Sequence, residues 1–344
     1  MSRLLIPNQR SNGLNTHPAI QKLIDDISVE NILTLLELED FSPVFDYADR
    51  INHFHHGKYI DIRAIVEFSN YCRRKCKYCG LNATNSSAKR YRMTEEEVIQ
   101  TAIHARKAGY LTAVLQSGED AYFTIEKLGF IVKEIKKQVD MFITLSCGEK
   151  SFEELAYLKD CGADRYLLKH ETADTSLYGN LHPCGTLAAR TQCLRDIKKL
   201  GYDAGSGFMI GLPTQTLHTI AEDLFLLYDL QCDMAGIGPF IPHPETELRD
   251  CSAGNTELTK KAVAIARILL PKANLPATTS LGVLDSKQKN NIFSCGANVI
   301  MRKVTPPEYV QLYDIYPTAI KVNNIEEERQ ELETTIRSLG KIPR

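Results

Sequence analysis

The chain has 344 residues, enough for two ordinary domains or for one α/β barrel. Hydrophobic residues make up 43% and charged residues 24%, a soluble globular balance, and a net charge of −2 gives no electrostatic footprint for nucleic acid or an anionic membrane. No apolar run reaches the ~20 residues that span a bilayer, and the N-terminus lacks the apolar core of a signal peptide.

Residues 1–17 carry Arg3 and Arg10 and no acid, and read as a loose extension. Residues 18–52 read as helix, with Ile20, Leu23, Ile24 and Ile27 at helical spacing. From residue 60 short β-like runs alternate with longer amphipathic ones. The expected strands are 60–68, 112–116, 141–145, 165–168, 205–210, 234–237, 276–280 and 298–301. Helices are expected from Thr94, which begins a capping box with Glu97, and over 153–161, 187–200, 220–230 and 256–270, with a short helical piece around 287–293. Eight strand-then-helix units predict a (βα)8 TIM-type barrel. The domain reading is an N-terminal helical extension over 1–55, a barrel over 56–317, and a charged C-terminal helical tail over 318–344 packing on the outside.

In such barrels chemistry sits at the C-terminal ends of the strands. The first strand runs into Cys72-Arg73-Arg74-Lys75-Cys76-Lys77-Tyr78-Cys79, a C-x3-C-x2-C run. Three thiolates within eight residues can turn onto one metal centre. They would leave one iron of a cubane without a protein ligand, and so open to a bound molecule. Zinc is the alternative, although its structural sites usually close with four ligands. The seven other cysteines are scattered singly, as buried free thiols are in a reducing compartment, which places the protein in the cytoplasm.

The triad resembles the signature of the radical S-adenosylmethionine (SAM) enzymes. That resemblance implies one 4Fe-4S cluster held by Cys72, Cys76 and Cys79, with SAM chelating the fourth iron. Ser117-Gly118-Glu119 resembles the turn whose carbonyls receive the SAM amino group; its plainer role is an ordinary βα turn. Glu171 can accept from the ribose hydroxyls, and Arg190 can pair with the SAM carboxylate unless it lies on a solvated helix face. Glycine-rich stretches at 207–211 and 236–239, with Ile237 and the backbone of Tyr78, suit an adenine slot.

Several stretches resemble one family more closely, among them Ile62-Arg63-Ala64-Ile65-Val66-Glu67-Phe68-Ser69-Asn70, Leu115-Gln116-Ser117-Gly118-Glu119-Asp120, Gly236-Ile237-Gly238-Pro239-Phe240-Ile241-Pro242-His243-Pro244, and Cys295-Gly296-Ala297-Asn298-Val299-Ile300-Met301. Over about 55–317 they are similar to the FeFe-hydrogenase maturase family HydE, more than to biotin synthase or the methylornithine synthase PylB. The resemblance implies work on a small organometallic substrate, a cysteine-bound Fe(CO)2(CN) precursor, with HydG- and HydF-type maturases as partners.

An anionic iron complex needs donors inside the barrel. Arg165 stands out as a charge beside Tyr166, Leu167 and Leu168, with an internal salt bridge as its plainer role. Ser117, Thr144, Thr278 and Thr279 offer hydroxyls. Met234 and Tyr313 can line the cavity, with core packing as the alternative. Two features depart from the family pattern. Ile320-Lys321-Val322 is followed by no cysteine, so no second C-terminal cluster is expected, and Lys169 stands where arginine is frequent. The competing readings are a PylB-like mutase acting on an amino acid, and a non-catalytic iron–sulfur or zinc binding protein.

Overall fold

A computed structural model describes residues 16–284, 291–317 and 324–344. The expected loose extension up to residue 15, residues 287–290 of the expected helical piece, and the start of the expected tail lie outside them.

Three helices come first: α1 Pro18–Asp25, α2 Val29–Leu36 and α3 Ser42–His56. The helical stretch expected over 18–52 is thus divided into three helices. Asp26 leaves α1 in extended backbone, and the Ser28 side chain caps α2 by accepting from Asn31 N–H. The chain then runs β1 Tyr59–Ser69, α4 Glu95–Lys107, β2 Thr112–Ser117, α5 Ile125–Gln138, β3 Phe142–Ser146, α6 Phe152–Asp160 and β4 Arg165–Leu167. Next come α7 Thr175–Leu181, α8 Leu187–Lys199, β5 Asp203–Ser206, β6 Met209–Ile210, α9 Leu217–Asp229, β7 Met234–Ala235, β8 Gly238–Pro239 and α10 Thr256–Leu269. The last elements are β9 Pro276–Ala277, α11 Thr279–Leu284, β10 Val299–Lys303, α12 Pro307–Val310, α13 Ile325–Ser338 and β11 Ile342–Pro343.

Eight parallel strands follow one another in the order β7-β5-β4-β3-β2-β1-β10-β9. The two ends meet through a parallel bridge between Met234 and Asn274, where Asn274 N–H donates to Asp233 O at 2.8 Å and Ala235 N–H to Asn274 O at 3.0 Å. The result is the expected (βα)8 barrel. Helices begin where strand loops end because the caps are local: Thr94 and Ser151 form capping boxes with Glu97 and Glu154, and Asp174, Thr186 and Asn255 cap their own helices.

Two expected strands are shorter than the pattern suggested. The run 205–210 breaks at Gly207, whose φ is +155° and whose missing Cβ leaves room for the Gly236 carbonyl. Met209–Ile210 then pairs with Gly238–Pro239 as a separate two-stranded ribbon at the mouth. The run 276–280 ends at Ala277, and Thr279 opens α11 instead. The C-terminal helix α13 lies outside the barrel as expected, with Glu326 on His104 of α4 and Glu328 near Arg302 of β10.

The alternation of β1 determines what faces the axis. Ile60, Ile62, Ala64, Val66 and Phe68 belong to the apolar layer between strands and helices. The odd-numbered residues therefore point inward, since successive side chains alternate. Arg63 reaches across the axis, its Nη1 3.2 Å from Met234 Sδ. An ordinary barrel of this kind fills its interior with branched apolar residues. Here Arg63, Glu67 and Thr144 are buried along the axis instead.

Candidate active site at the barrel mouth

The loop after β1 is fixed from several sides. Arg90 donates to the carbonyls of Asn70, Leu81, Asn82 and Asn85 at 2.6–3.2 Å. Gly80 N–H donates to Ile315 O and Lys77 N–H to Leu181 O. Cys72, Cys76 and Cys79 are half-buried, and all three thiols are free. Cys72 Sγ accepts from Glu119 N–H at 3.4 Å, and Cys76 Sγ lies 3.3 Å from His182 Nδ1. Burial, then neighbouring Cys72, pushes the Cys76 thiol up to about 12. A bound metal would have to displace those protons.

Among the described residues, no three or more His, Cys, Asp or Glu side chains gather closely enough to hold one metal ion. The three thiols share a loop and lie close enough that Cys76 feels Cys72, and Cys79 feels both. A cubane takes its thiolates at separate iron corners, which suits this loop better than the tight tetrahedron of a zinc site. The residues present therefore fit an iron–sulfur cluster.

Gly118 sits directly against this loop, where a Cβ would collide with the Tyr71 carbonyl and Cys72 Cβ. Ser117 Oγ donates to the Gly118 carbonyl at 2.7 Å. Glu119 is buried and accepts from Arg74 Nε at 2.6 Å and Arg73 Nε at 3.2 Å. Burial pushes its carboxyl up, but Arg74, the Glu149 amide and Arg73 outweigh that and hold it below the usual range. Arg74 also pairs with Glu149 at 2.9 Å, and Glu149 with Arg190 Nε at 2.9 Å. Arg190 does not take the plainer role of a solvated helix residue: it is buried and also donates to Tyr178 OH at 3.1 Å. Arg74, Cys76, Tyr178, His182, Cys184 and Arg190 line a narrow crevice beside this loop.

Glu171 is one of the non-glycine residues with positive φ, at +67°. Its neighbour His170 is fully buried between Ser206 Oγ at 2.9 Å and Asp223 Oδ1 at 3.3 Å. Lys169 Nζ lies 2.9 Å from Glu171 Oε2. Tyr78 contacts His182 Nε2 through its hydroxyl at 3.4 Å, and Ile237 is buried between β7 and β8.

The substrate candidates separate. Arg165 lies in register with Thr144. It opens its strand, at the end away from the cysteines, where its Nε pairs with Asp203 at 3.0 Å and its Nη1 donates to Thr112 Oγ1 at 3.1 Å. Phe142 lies under the guanidinium at 4.6 Å. These contacts are the internal salt bridge named above as its plainer role. Thr144 is buried with its hydroxyl unpartnered. Thr278 accepts from Ser280 Oγ at 3.3 Å, while Thr279 and Ser280 bond the Tyr316 hydroxyl. Tyr313 is buried and bonds Gln116. Met234 faces Arg63.

Sequence reading does not single out His182, Arg74, Glu149, Arg63, Glu67 or Lys303. Arg63 and Glu67 carried a usable signal: charges in an apolar strand, an even number of residues apart. His182 carried none, because its place beside Cys76 comes from the turn after α7.

A family model described as the radical SAM superfamily matches residues 66–227. The FeFe-hydrogenase maturase subunit HydE of Thermotoga maritima is 48% identical over 279 residues, covering 81% of this chain and 80% of that protein. The 3-methylornithine synthase of Methanosarcina acetivorans is 26% identical over 80% of this chain and 79% of its own length. Among solved structures, methylornithine synthase PylB matches with a TM-score of 0.82 at 23% identity, over 95% of this chain and 97% of that one. HydG, a maturase of the FeFe-hydrogenase, matches with 0.81 at 20% identity, over 94% and 75%. These two structures speak for the shared barrel. The Thermotoga relative speaks for the family: this chain is a radical SAM enzyme and belongs to the HydE family.

Proposed function

We propose that the chain works in assembly of the FeFe-hydrogenase H-cluster, acting at sulfur on a cysteine-bound Fe(CO)2(CN) precursor. The observation that carries this reading is a charged barrel interior beneath a three-cysteine loop, in a chain 48% identical to HydE of Thermotoga maritima. Cys72, Cys76 and Cys79 hold one 4Fe-4S cluster, and no second C-terminal cluster is expected. When bound, the cluster and SAM together supply a 5′-deoxyadenosyl radical and methionine.

The chain's own residues bind, orient and exclude water. Ser117, Gly118 and Glu119 present the strand-end turn to the SAM amino group. Arg190, held by Glu149 and Tyr178, offers its planar fork to the SAM carboxylate. Glu171 accepts from the ribose hydroxyls, while Tyr78 and Ile237 border the adenine. Thr144, Thr278, Thr279, Met234 and Tyr313 surround the substrate, and the closed barrel keeps a carbon radical from water. Arg165 is not part of this set.

The catalytic unit is the barrel of residues 56–317, flanked by the helical extension 1–55 and the tail 318–344. HydG-type and HydF-type maturases are the functional partners before and after it. No helix among the described residues is long and apolar enough to cross a membrane, and the reading places the enzyme in the cytoplasm.

The test is anaerobic reconstitution with iron and sulfide, followed by EPR with and without SAM. One 4Fe-4S signal that changes on SAM addition, with 5′-deoxyadenosine released, is expected. Cys76→Ala should lose both. Deoxyadenosine from that variant would remove the triad assignment, and methylornithine formed from lysine would favour a mutase instead.

A further inference from the structure

Glu67 and Lys303 form a charged pair inside the barrel that the SAM site does not use. Glu67 faces the axis two layers above Arg63, at the cysteine end of β1, and is only 2% exposed. Its Oε1 lies 2.9 Å from Lys303 Nζ, which comes from β10 on the neighbouring side. Its Oε2 is buried and has no hydrogen-bond partner. The backbone of Glu67 is pinned: its N–H donates to Thr305 Oγ1 at 2.8 Å, and its carbonyl accepts from Tyr91 OH at 2.6 Å. The strand position from which the side chain projects is therefore fixed, and one of its two oxygens makes no hydrogen bond.

The surroundings are those of the substrate candidates. Glu67 pairs in register with Gln116, and Gln116 bonds Tyr313. Lys303 Nζ stands 5.9 Å from the Tyr313 ring.

A buried ion pair rarely outperforms apolar packing, and a half-satisfied carboxylate is worse than either. Burial outweighs Lys303 and pushes the Glu67 carboxyl up to about 7. A cationic donor at Oε2 would remove that penalty. An ammonium nitrogen carries three donors, and Glu67 is the one ion-pair partner of Lys303 among the described residues. A lone anion at Lys303 would be repelled by Glu67, and a lone cation at Glu67 by Lys303. A ligand with both charges on adjacent atoms satisfies both at once.

We propose that Glu67 and Lys303 recognise the α-amino-acid end of the substrate, Glu67 taking its ammonium and Lys303 its carboxylate. This rests on the proposed function, and identifies which protein groups hold the cysteine portion of the precursor. The four charges then alternate in sign, and both Glu67 carboxylate oxygens have a partner.

The test uses the reconstituted holoenzyme saturated with SAM, so that the amino-acid end of SAM is already in its own place. The probe is S-methyl-L-cysteine, whose capped sulfur does not compete for iron as a thiolate, titrated by calorimetry. It is compared with 2-(methylthio)ethylamine, which lacks the carboxylate, and 3-(methylthio)propionate, which lacks the ammonium. The full zwitterion should bind about ten-fold or more tightly than either fragment. Glu67→Gln should weaken S-methyl-L-cysteine while leaving 3-(methylthio)propionate unchanged or tighter. Lys303→Met should weaken S-methyl-L-cysteine while leaving 2-(methylthio)ethylamine unchanged or tighter. Equal binding of the three probes to the wild type, no binding of the zwitterion, or unchanged affinities in both variants would overturn the proposal. The wild-type comparison needs no variant, so a misfolded substitution does not rescue the idea. Loss of SAM-dependent deoxyadenosine would point instead to failure of the broader reading.

Discussion

Arg165 and Arg190 show how one residue type takes different roles by position. Both are cations on elements of the barrel. Arg190 follows its strand, near the cysteine end, and lies buried between Glu149 and Tyr178. Arg165 opens its strand on the floor and spends its donors on Asp203 and Thr112. Asp203 is half exposed, so water screens that pair. Arg165→Met should therefore lower unfolding stability by about 1 kcal/mol in chemical denaturation. SAM affinity and deoxyadenosine yield should stay at wild-type values. A large loss of SAM turnover with intact folding would return Arg165 to the site.

At the scale of elements, the cysteine loop owes its shape to a neighbour of a different strand. Gly118, after β2, leaves the space that the Tyr71 backbone and Cys72 occupy. Gly118→Ala would drive that loop away from Glu119 N–H and unsettle the Cys72 sulfur. The barrel itself should persist, because its core lies behind β1 and β2 in the apolar layer. Circular dichroism should be unchanged while iron and sulfide retained per chain fall at least about two-fold, as lost packing at a close backbone approach implies. Full cluster retention would mean that the loop relaxes without losing its ligands. The ribbon of β6 and β8 is a comparable case, since the break at Gly207 turns the end of one strand into part of the mouth.

For the whole molecule, the floor of the barrel is tied to the N-terminal helices through one buried cation. Arg267 of α10 is fully buried and donates to Gly296 O, Pro271 O and Ala273 O, to Asn298 Oδ1, and to His56 Nε2 at 3.1 Å. Burial first, then Arg267, holds the His56 imidazole down at about 4. The unfolded chain takes up that proton near 6.5, and the folded chain does not until much lower pH. The contribution of His56 is therefore present above pH 6.5 and lost as pH falls toward 4. Melting temperatures should drop between pH 7 and pH 5, and His56→Gln should flatten that drop. An identical pH profile in the variant would remove His56 from the account.

The sequence by itself determined the order of strands and helices, the barrel they form and the cysteine triad. All three are local in origin: alternation, capping residues and ligand spacing are written within a few residues of each other. The HydE family was legible for the same reason, in short runs around the strand ends. Tertiary structure alone decided which charges face which. Arg165 on the floor, Arg190 on Glu149, His182 beside Cys76 and Glu67 against Lys303 each join residues far apart in the chain. Such pairings depend on strand register and on which end of the barrel a residue occupies. A one-residue difference along a strand turns a side chain to the other face, and a few residues move it from floor to mouth. Composition carries no record of that, so the chemistry of the site was visible as residue types, and its wiring only in the closed barrel.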